Sequence, residues 1–198
     1  EAVKQIVLLA SDLGTLGVKI NTIDIGGGLG ISYNHEKPPR IGAFVESLLK
    51  VVPAHFKVAL EPGRSIVGHT GILLTSVELV KQTAHSRFVI VDAAMNDLLR
   101  PSLYSAWHDI IPYLETPAVE MDDAPVCDVV GPVCETGDTL ATGRRLIARE
   151  GDLIGALDVG AYGAVMSSNY NSRLRCAEVL VQDDSFRIIK ARQSFEDM

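Results

Sequence analysis

Residues 22–30 read TIDIGGGLG, and this stretch decides the fold class. Ile23 and Ile25 flank Asp24 in an alternating run that suits a short strand. The run enters Gly26, Gly27 and Gly28, with Gly30 one residue beyond Leu29. Consecutive glycines at a strand end permit positive φ and let backbone N–H groups approach a ligand. Amides exposed in this way favour an anion, above all a phosphate. The plain alternative is a strand-ending turn with no ligand, and short glycine motifs do not choose between the two.

Upstream, Val3, Ile6, Val7, Ala10, Leu13 and Leu16 recur at helical spacing, and residues 18–25 read as the strand that feeds the loop. No residue before this helix can cap its first N–H groups, so the chain is expected to be a piece of something longer. Downstream, Pro38 and Pro39 suit the entry to a second helix with Ile41, Phe44, Val45, Leu48 and Leu49 on one face, ended by Pro53. Residues 56–60 form a second apolar strand that runs into Glu61-Pro62-Gly63-Arg64. This alternation is that of a parallel α/β structure. In a barrel of that kind ligands bind in the loops after the strands, where both EPGR and the glycine loop fall. Two such units leave sheet edges open, so the remaining strands are expected from a longer chain or a partner.

The pattern changes near residues 65–70. Residues 71–83 (GILLTSVELVKQT) and 87–93 (RFVIVDA) are rich in Val, Ile, Leu and Thr without helical spacing, and read as strands. Short β-like runs follow at 128–130, 152–157, 177–182 and 186–191, with short helices expected near 98–106 and 162–169. The acidic, proline-bearing tract 113–125 reads as a loop. The reading is therefore α/β plus all-β.

Composition narrows the function class. A net charge of −7 argues against a nucleic-acid or anionic-membrane surface, which needs clustered Lys and Arg. A hydrophobic fraction of 47% with 22% charged residues is ordinary for a folded globular chain, and no apolar run reaches membrane-span length. Cys127, Cys134 and Cys176 are an odd number without metal-ligand spacing, so neither a disulfide framework nor a metal site is expected. A reducing cytoplasm fits this usage best.

Several segments could carry chemistry. Glu61, stiffened by Pro62, could pair with a protonated ring nitrogen, and Arg64 offers a planar fork to carboxylate or phosphate. They could equally form a surface ion pair after a turn. Arg100 and Tyr104 in RPSLY are four apart, facing one way on a helical turn. They could hold a carboxylate, or the arginine could cover a half-buried tyrosine. In GPVCETGD the thiol of Cys134 could donate a proton and Glu135 could bind an ammonium, or Cys134 could be a small buried hydrophobe, as Cys127 and Cys176 are read to be. Residues 160–166 (GAYGAVM) carry Tyr162 among small residues, which suits an anion site or a tightly packed helix. His108 follows Trp107 near RPSLY and receives no role, and His35, His55, His69 and His85 read as surface or loop residues.

In order, DIGGGLGI, EPGRSIV, VDAAMNDLLRPSLY, DVVGPVCETGD and GAYGAVMSSNYNSR resemble the motif series of the diaminopimelate decarboxylases. These are pyridoxal-phosphate enzymes with an alanine-racemase-like barrel and a C-terminal β-domain. The resemblance implies that residues 1–67 are the last two strand units of a (β/α)8 barrel. It implies a mostly β-domain over 68–198, with the extreme C-terminus able to return to the barrel. By the same resemblance Gly27, Gly28, Gly63 and Arg64 hold the cofactor phosphate, and Glu61 pairs with the pyridinium nitrogen. Arg64, Arg100 and Tyr104 grip substrate carboxylates, Cys134 donates a proton and Glu135 binds the substrate amine. Tyr162 lies over the cofactor and the substrate.

The implied reaction is decarboxylation of meso-2,6-diaminopimelate to L-lysine in a homodimer whose active sites are shared across the interface. Ornithine- or arginine-type decarboxylases, or a non-catalytic relative of the same fold, are the competing readings; the carboxylate grip and Glu135 favour diaminopimelate. One departure stands out. None of Lys4, Lys19, Lys37, Lys50, Lys57, Lys81 or Lys190 sits in a motif matching the family's Schiff-base lysine, so an N-terminal barrel half that carries it is expected elsewhere and this piece alone is expected to be inactive.

Overall fold

The computed structural model describes residues 1–113 and 123–198. Its first helix, α1 (Ala2–Thr15), forms where the apolar spacing predicts it. The helix stops because Gly17 adopts φ +84°, while the Gly17 N–H donates to the Gly14 carbonyl and the Val18 N–H to that of Leu13. This is a Schellman closure, which a residue with a Cβ would resist. Ala10 of α1 packs with Ile23, Val52 and Phe56, backed by Val3, Val7, Ile20, Ile25 and Val58.

Strand β1 (Thr22–Asp24) pairs in parallel with β2 (Lys57–Ala59), Ile23 opposite Val58. A parallel pair needs a long crossover, and helix α2 (Ile41–Leu49) lies within it. The first strand is shorter than residues 18–25 because β2 offers it only three partners. These elements belong to a compact unit, Glu1–Gly68. At the change of pattern expected near residues 65–70 the chain forms a short helix α3 (Arg64–Val67) and a 3-10 turn, Gly68–Thr70.

A second unit, His69–Met198, is built on a six-stranded mixed sheet. Its strands are β3 (Leu73–Gln82), β4 (Arg87–Val91), β5 (Ile110–Pro112), β6 (Val126–Val130), β7 (Thr139–Arg145) and β8 (Leu153–Ala156), in the order β5-β8-β3-β4-β6-β7. The β4–β6 pair is parallel and the other pairs are antiparallel. Val77, Val89, Val91, Val129, Leu140, Leu146 and Ile154 fill its core with Leu98, which precedes the short helix α4 (Arg100–Tyr104). Each such side chain contributes about 1.5–3 kcal/mol by leaving water.

A separate antiparallel hairpin joins β9 (Glu178–Gln182) to β10 (Ser185–Lys190), with an ion pair from Lys190 to Glu178 at 3.0 Å. The architecture is thus a parallel α/β pair plus a β-rich unit, as the alternation and its break predict. Strands β5 and β7 are not apparent in the sequence: β5 has three residues, and β7 reads TLATGRR, with a glycine and two arginines. The helix expected near 162–169 is only a 3-10 turn, Ala164–Met166, with a second turn just beyond it at Tyr170–Ser172, because the Ser- and Asn-rich stretch favours local turns over helix. Of the loop expected at 113–125, residues 114–122 lie outside the described residues.

Candidate functional site

In the first unit the two loops that follow the parallel strands run side by side. The hydrogen-bond ladder continues past the strands, with the Ile25 N–H donating to the Ala59 carbonyl at 3.1 Å and the Glu61 N–H to the Gly26 carbonyl at 2.9 Å. Asp24 Oδ1 accepts the Gly26 N–H at 2.7 Å, which closes the turn into the glycines. Gly26 and Gly28 take φ +72° and +76°. At Gly27 the constraint is space, because a Cβ there would stand 2.8 Å from the Glu61 carbonyl oxygen. Gly28 and Gly63 instead border open space, where a Cβ would meet nothing within 4 Å. Backbone so bared, with the Arg64 guanidinium set 5.8 Å from the Tyr33 ring centroid beside it, fits a phosphate group. Glu61 is exposed, at the end of the second of these strands. Tyr33 carries no motif signal, and only the fold brings it to Arg64.

In the second unit the loop 131–138 is organised from inside by Asp138, which is 3% exposed. Its carboxylate accepts the Val133 N–H at 2.7 Å and the Met95 N–H at 2.6 Å, so it closes its own loop and ties down the MND turn. Gly131 has to be glycine, since a Cβ would fall on that carboxylate. Cys134 and Glu135 are thereby held at the exposed tip. Helix α4 is fastened to the same loop by Ser102 Oγ, which donates to the Gly137 carbonyl at 2.6 Å.

Arg100 and Tyr104 do not share one environment. Arg100 is 7% exposed, with Nη1 2.8 Å from His108 Nε2, whereas Tyr104 is largely exposed. A surface arginine covering a half-buried tyrosine is therefore not what forms. His108 is fully buried and places Nδ1 2.8 Å from the Leu157 carbonyl. Burial, more than the neighbouring Arg100, pushes its pKa below the ordinary histidine range.

Tyr162 lies in the left-handed region at φ +62° and is 44% exposed. A non-glycine residue there stores backbone strain, a frequent mark of functional positions. The neighbouring backbone is tightly packed, since a Cβ on Gly71 would press on Gly160. Beyond it, Asn96 anchors the SSNYNSR segment by accepting the Ser168 N–H at its backbone carbonyl (2.9 Å) and the Arg173 Nε–H at Oδ1 (2.9 Å). The Tyr170 hydroxyl donates to Glu135 Oε2 at 2.6 Å. Asp97, beside this network, has its pKa raised chiefly by burial. Cys127 is buried with its thiol pushed up by desolvation, the behaviour of a packed, unreactive thiol.

Sequence reasoning missed Asp138, His108, Asn96, Tyr170 and Arg173 as organisers. A polar organiser announces itself in sequence only when it interrupts a periodic pattern, and these lie in loops and short turns.

A model of the family described as pyridoxal-dependent decarboxylase, C-terminal sheet domain, matches residues 13–160. The chain belongs to this family. Its relatives include diaminopimelate decarboxylases from Pseudomonas fluorescens, 45% identical over 100% of this chain and 47% of that protein, and from Aquifex aeolicus, 46% identical over 99% and 46%. Among solved structures it resembles a diaminopimelate decarboxylase from Helicobacter pylori complexed with L-lysine, with a TM-score of 0.89 and 41% identity over 99% of this chain and 48% of that one. The chain spans about half the length of the curated relatives it matches. An arginine decarboxylase of Paramecium bursaria Chlorella virus, at 19% identity and a TM-score of 0.73, shares the fold.

Proposed function

We propose that the protein containing this chain decarboxylates meso-2,6-diaminopimelate to L-lysine with pyridoxal phosphate. The observation that carries this reading is the match of the whole chain to relatives named for that reaction. In this reading residues 1–67 are the closing strands of a cofactor-binding (β/α)8 (TIM) barrel and 68–198 its β-domain. The other barrel strands and the cofactor-bearing lysine belong to an N-terminal half. The protein works in the cytoplasm as a homodimer with sites shared across the interface.

The roles follow from the chemistry of each group. The amides of Gly27, Gly28 and Gly63 bind the cofactor phosphate with Arg64, a reading that the open space beside Gly28 and Gly63 supports. Glu61 holds a proton on the ring nitrogen through its carboxylate. Pyridoxal phosphate, when bound, supplies a protonated ring that accepts the electron pair left when CO2 departs. Arg64, Arg100 and Tyr104 grip the substrate carboxylates, the guanidinium groups in a planar fork. Glu135 takes the ammonium group, and Tyr170 orients it. Cys134 Sγ delivers a proton to the carbon that lost its carboxylate, and solvent then restores the thiol. Tyr162 covers the cofactor and excludes water.

Incubating the full-length protein with pyridoxal phosphate and meso-diaminopimelate is expected to release CO2 and L-lysine in equal amounts. Absence of both products would overturn the assignment.

A further inference from the structure

Buried arginines need partners, and one of those of Arg100 is a histidine. His108 Nδ1 lies 2.8 Å from the Leu157 carbonyl, which can only accept, so Nδ1 carries the hydrogen. Nε2 is then a lone-pair acceptor, 2.8 Å from Arg100 Nη1, which can only donate. The two contacts together fix a single neutral tautomer. The backbone that carries the ring is held as well, since the His108 carbonyl accepts from Arg144 Nη2 at 3.1 Å and the Arg144 guanidinium is stacked on Trp107.

We propose that His108 is a positioning residue for substrate binding, its Nε2 holding the Arg100 guanidinium in the orientation that grips the carboxylate at the unreacted end of the diamino diacid. This rests on the reading that Arg100 binds that carboxylate. Two physical points favour histidine in this place. Arginine loses considerable rotamer entropy when a ligand immobilises it, and an anchored guanidinium has already lost it. A neutral imidazole also adds no negative charge of its own beside Arg100, whereas an aspartate or glutamate anchor would compete with a substrate carboxylate. Among the described residues, the charged groups that act on the ring are Arg100 from α4, Arg144 from β7 and Asp158 after β8, the last engaged by His69 at 2.6 Å. A proton added at Nε2 would set N–H against N–H and release Arg100.

The test uses the full-length holoenzyme and two ligands, L-lysine, which keeps the unreacted end, and 1,5-diaminopentane, which has no carboxylate. His108→Met, close to isosteric but without an acceptor, is expected to weaken L-lysine binding roughly tenfold or more while shifting the diamine by less than about twofold. His108→Gln can accept from Arg100 and donate to Leu157, and is expected to restore L-lysine binding to within about threefold of wild type. Equal weakening of both ligands, or failure of glutamine to rescue, would overturn the proposal. Arg100→Met separates the two layers. If it leaves L-lysine binding intact, the carboxylate-grip reading itself fails; if it weakens binding and His108→Met does not, only the role of His108 fails. Should His108→Met not fold, 15N-histidine spectra of the wild-type holoenzyme decide: the His108 Nε2 resonance is expected to move on adding L-lysine and to stay put with the diamine. A resonance indifferent to L-lysine, or equally responsive to both ligands, overturns the proposal.

Discussion

The phenol of Tyr170 donates to Glu135 Oε2 at 2.6 Å, although 35 residues separate the two in sequence. The bond joins the exposed tip of the Cys134 loop to the SSNYNSR segment, and it raises the Tyr170 pKa above its usual value because a nearby carboxylate disfavours a phenolate. Glu135→Gln is therefore expected to lower the pKa of one tyrosine, read by ultraviolet titration. Tyr170→Phe frees the Glu135 carboxylate to wander and is expected to raise KM a few-fold, about the effect of one hydrogen bond, with a smaller change in kcat. An unchanged tyrosine titration in Glu135→Gln would contradict the pairing.

Asp138 accepts from Met95 and Val133 at once, inside a loop that has no room beside Gly131. An amide cannot accept at both positions, and its NH2 would face a backbone donor. Asp138→Asn is thus expected to destabilise the protein by about 2 kcal/mol. It should also lower kcat by misplacing Cys134. Thermal unfolding and steady-state rates check both effects, and wild-type values for the two would show that the carboxylate does not organise the loop.

A Cβ at Gly27 would stand 2.8 Å from the Glu61 carbonyl oxygen, so the two loops would have to part. Gly27→Ala in the full-length protein is expected to weaken pyridoxal phosphate at least about tenfold, since the opposed backbones cannot give as a flexible side chain can. Equilibrium binding followed by cofactor absorbance checks this.

Cys134 and Glu61 should fail differently. Cys134→Ala is expected to slow turnover by roughly a hundredfold or more, as loss of a positioned proton donor does, with little change in cofactor affinity. Glu61→Gln should instead impair the electron-accepting state of the ring, visible as a changed cofactor spectrum with reduced kcat. Equal, mild effects from both substitutions would remove these roles.

His108 links pH to stability. Its pKa is held below the unfolded value of about 6.5, mainly by burial, so the unfolded chain binds the proton at higher pH than the folded one. Stability contributed by the neutral ring is therefore complete above about pH 6.5 and declines as the pH falls from there toward the folded pKa. Melting temperatures of wild type and His108→Gln, compared across that window, are expected to diverge on the acid side, with the glutamine variant flatter. Parallel curves would show that the ring does not titrate this way.

The regular half of the fold was legible because its signals are local. Helical spacing through Val3, Val7 and Ala10 predicts α1, and Ile23 before three glycines predicts a strand and its turn. The change of pattern after Arg64 marks the passage to β structure. Less was legible where pairing rather than composition makes the strand: β5 and β7 exist because neighbouring strands supply a ladder for them. Residues 162–169 lack a helix because short Ser and Asn side chains satisfy the backbone locally, which a count of apolar spacing does not weigh.

For the site, the sequence by itself determined which chemical groups are available and in what order: glycine loop, EPGR, RPSLY, CETGD and GAY. Tertiary structure decided how they are held. Gly27 lies against Glu61, Asp138 reaches Met95 across 43 residues, and Tyr170 finds Glu135. Arg100 proved to be buried on His108 while Tyr104, four residues away, faces outward. The physical reason is common to all of these. Periodicity reports which face of an element leaves water, but the partner of a polar group, or a close backbone approach, is set by where distant loops meet, and that geometry leaves no periodic trace in the chain.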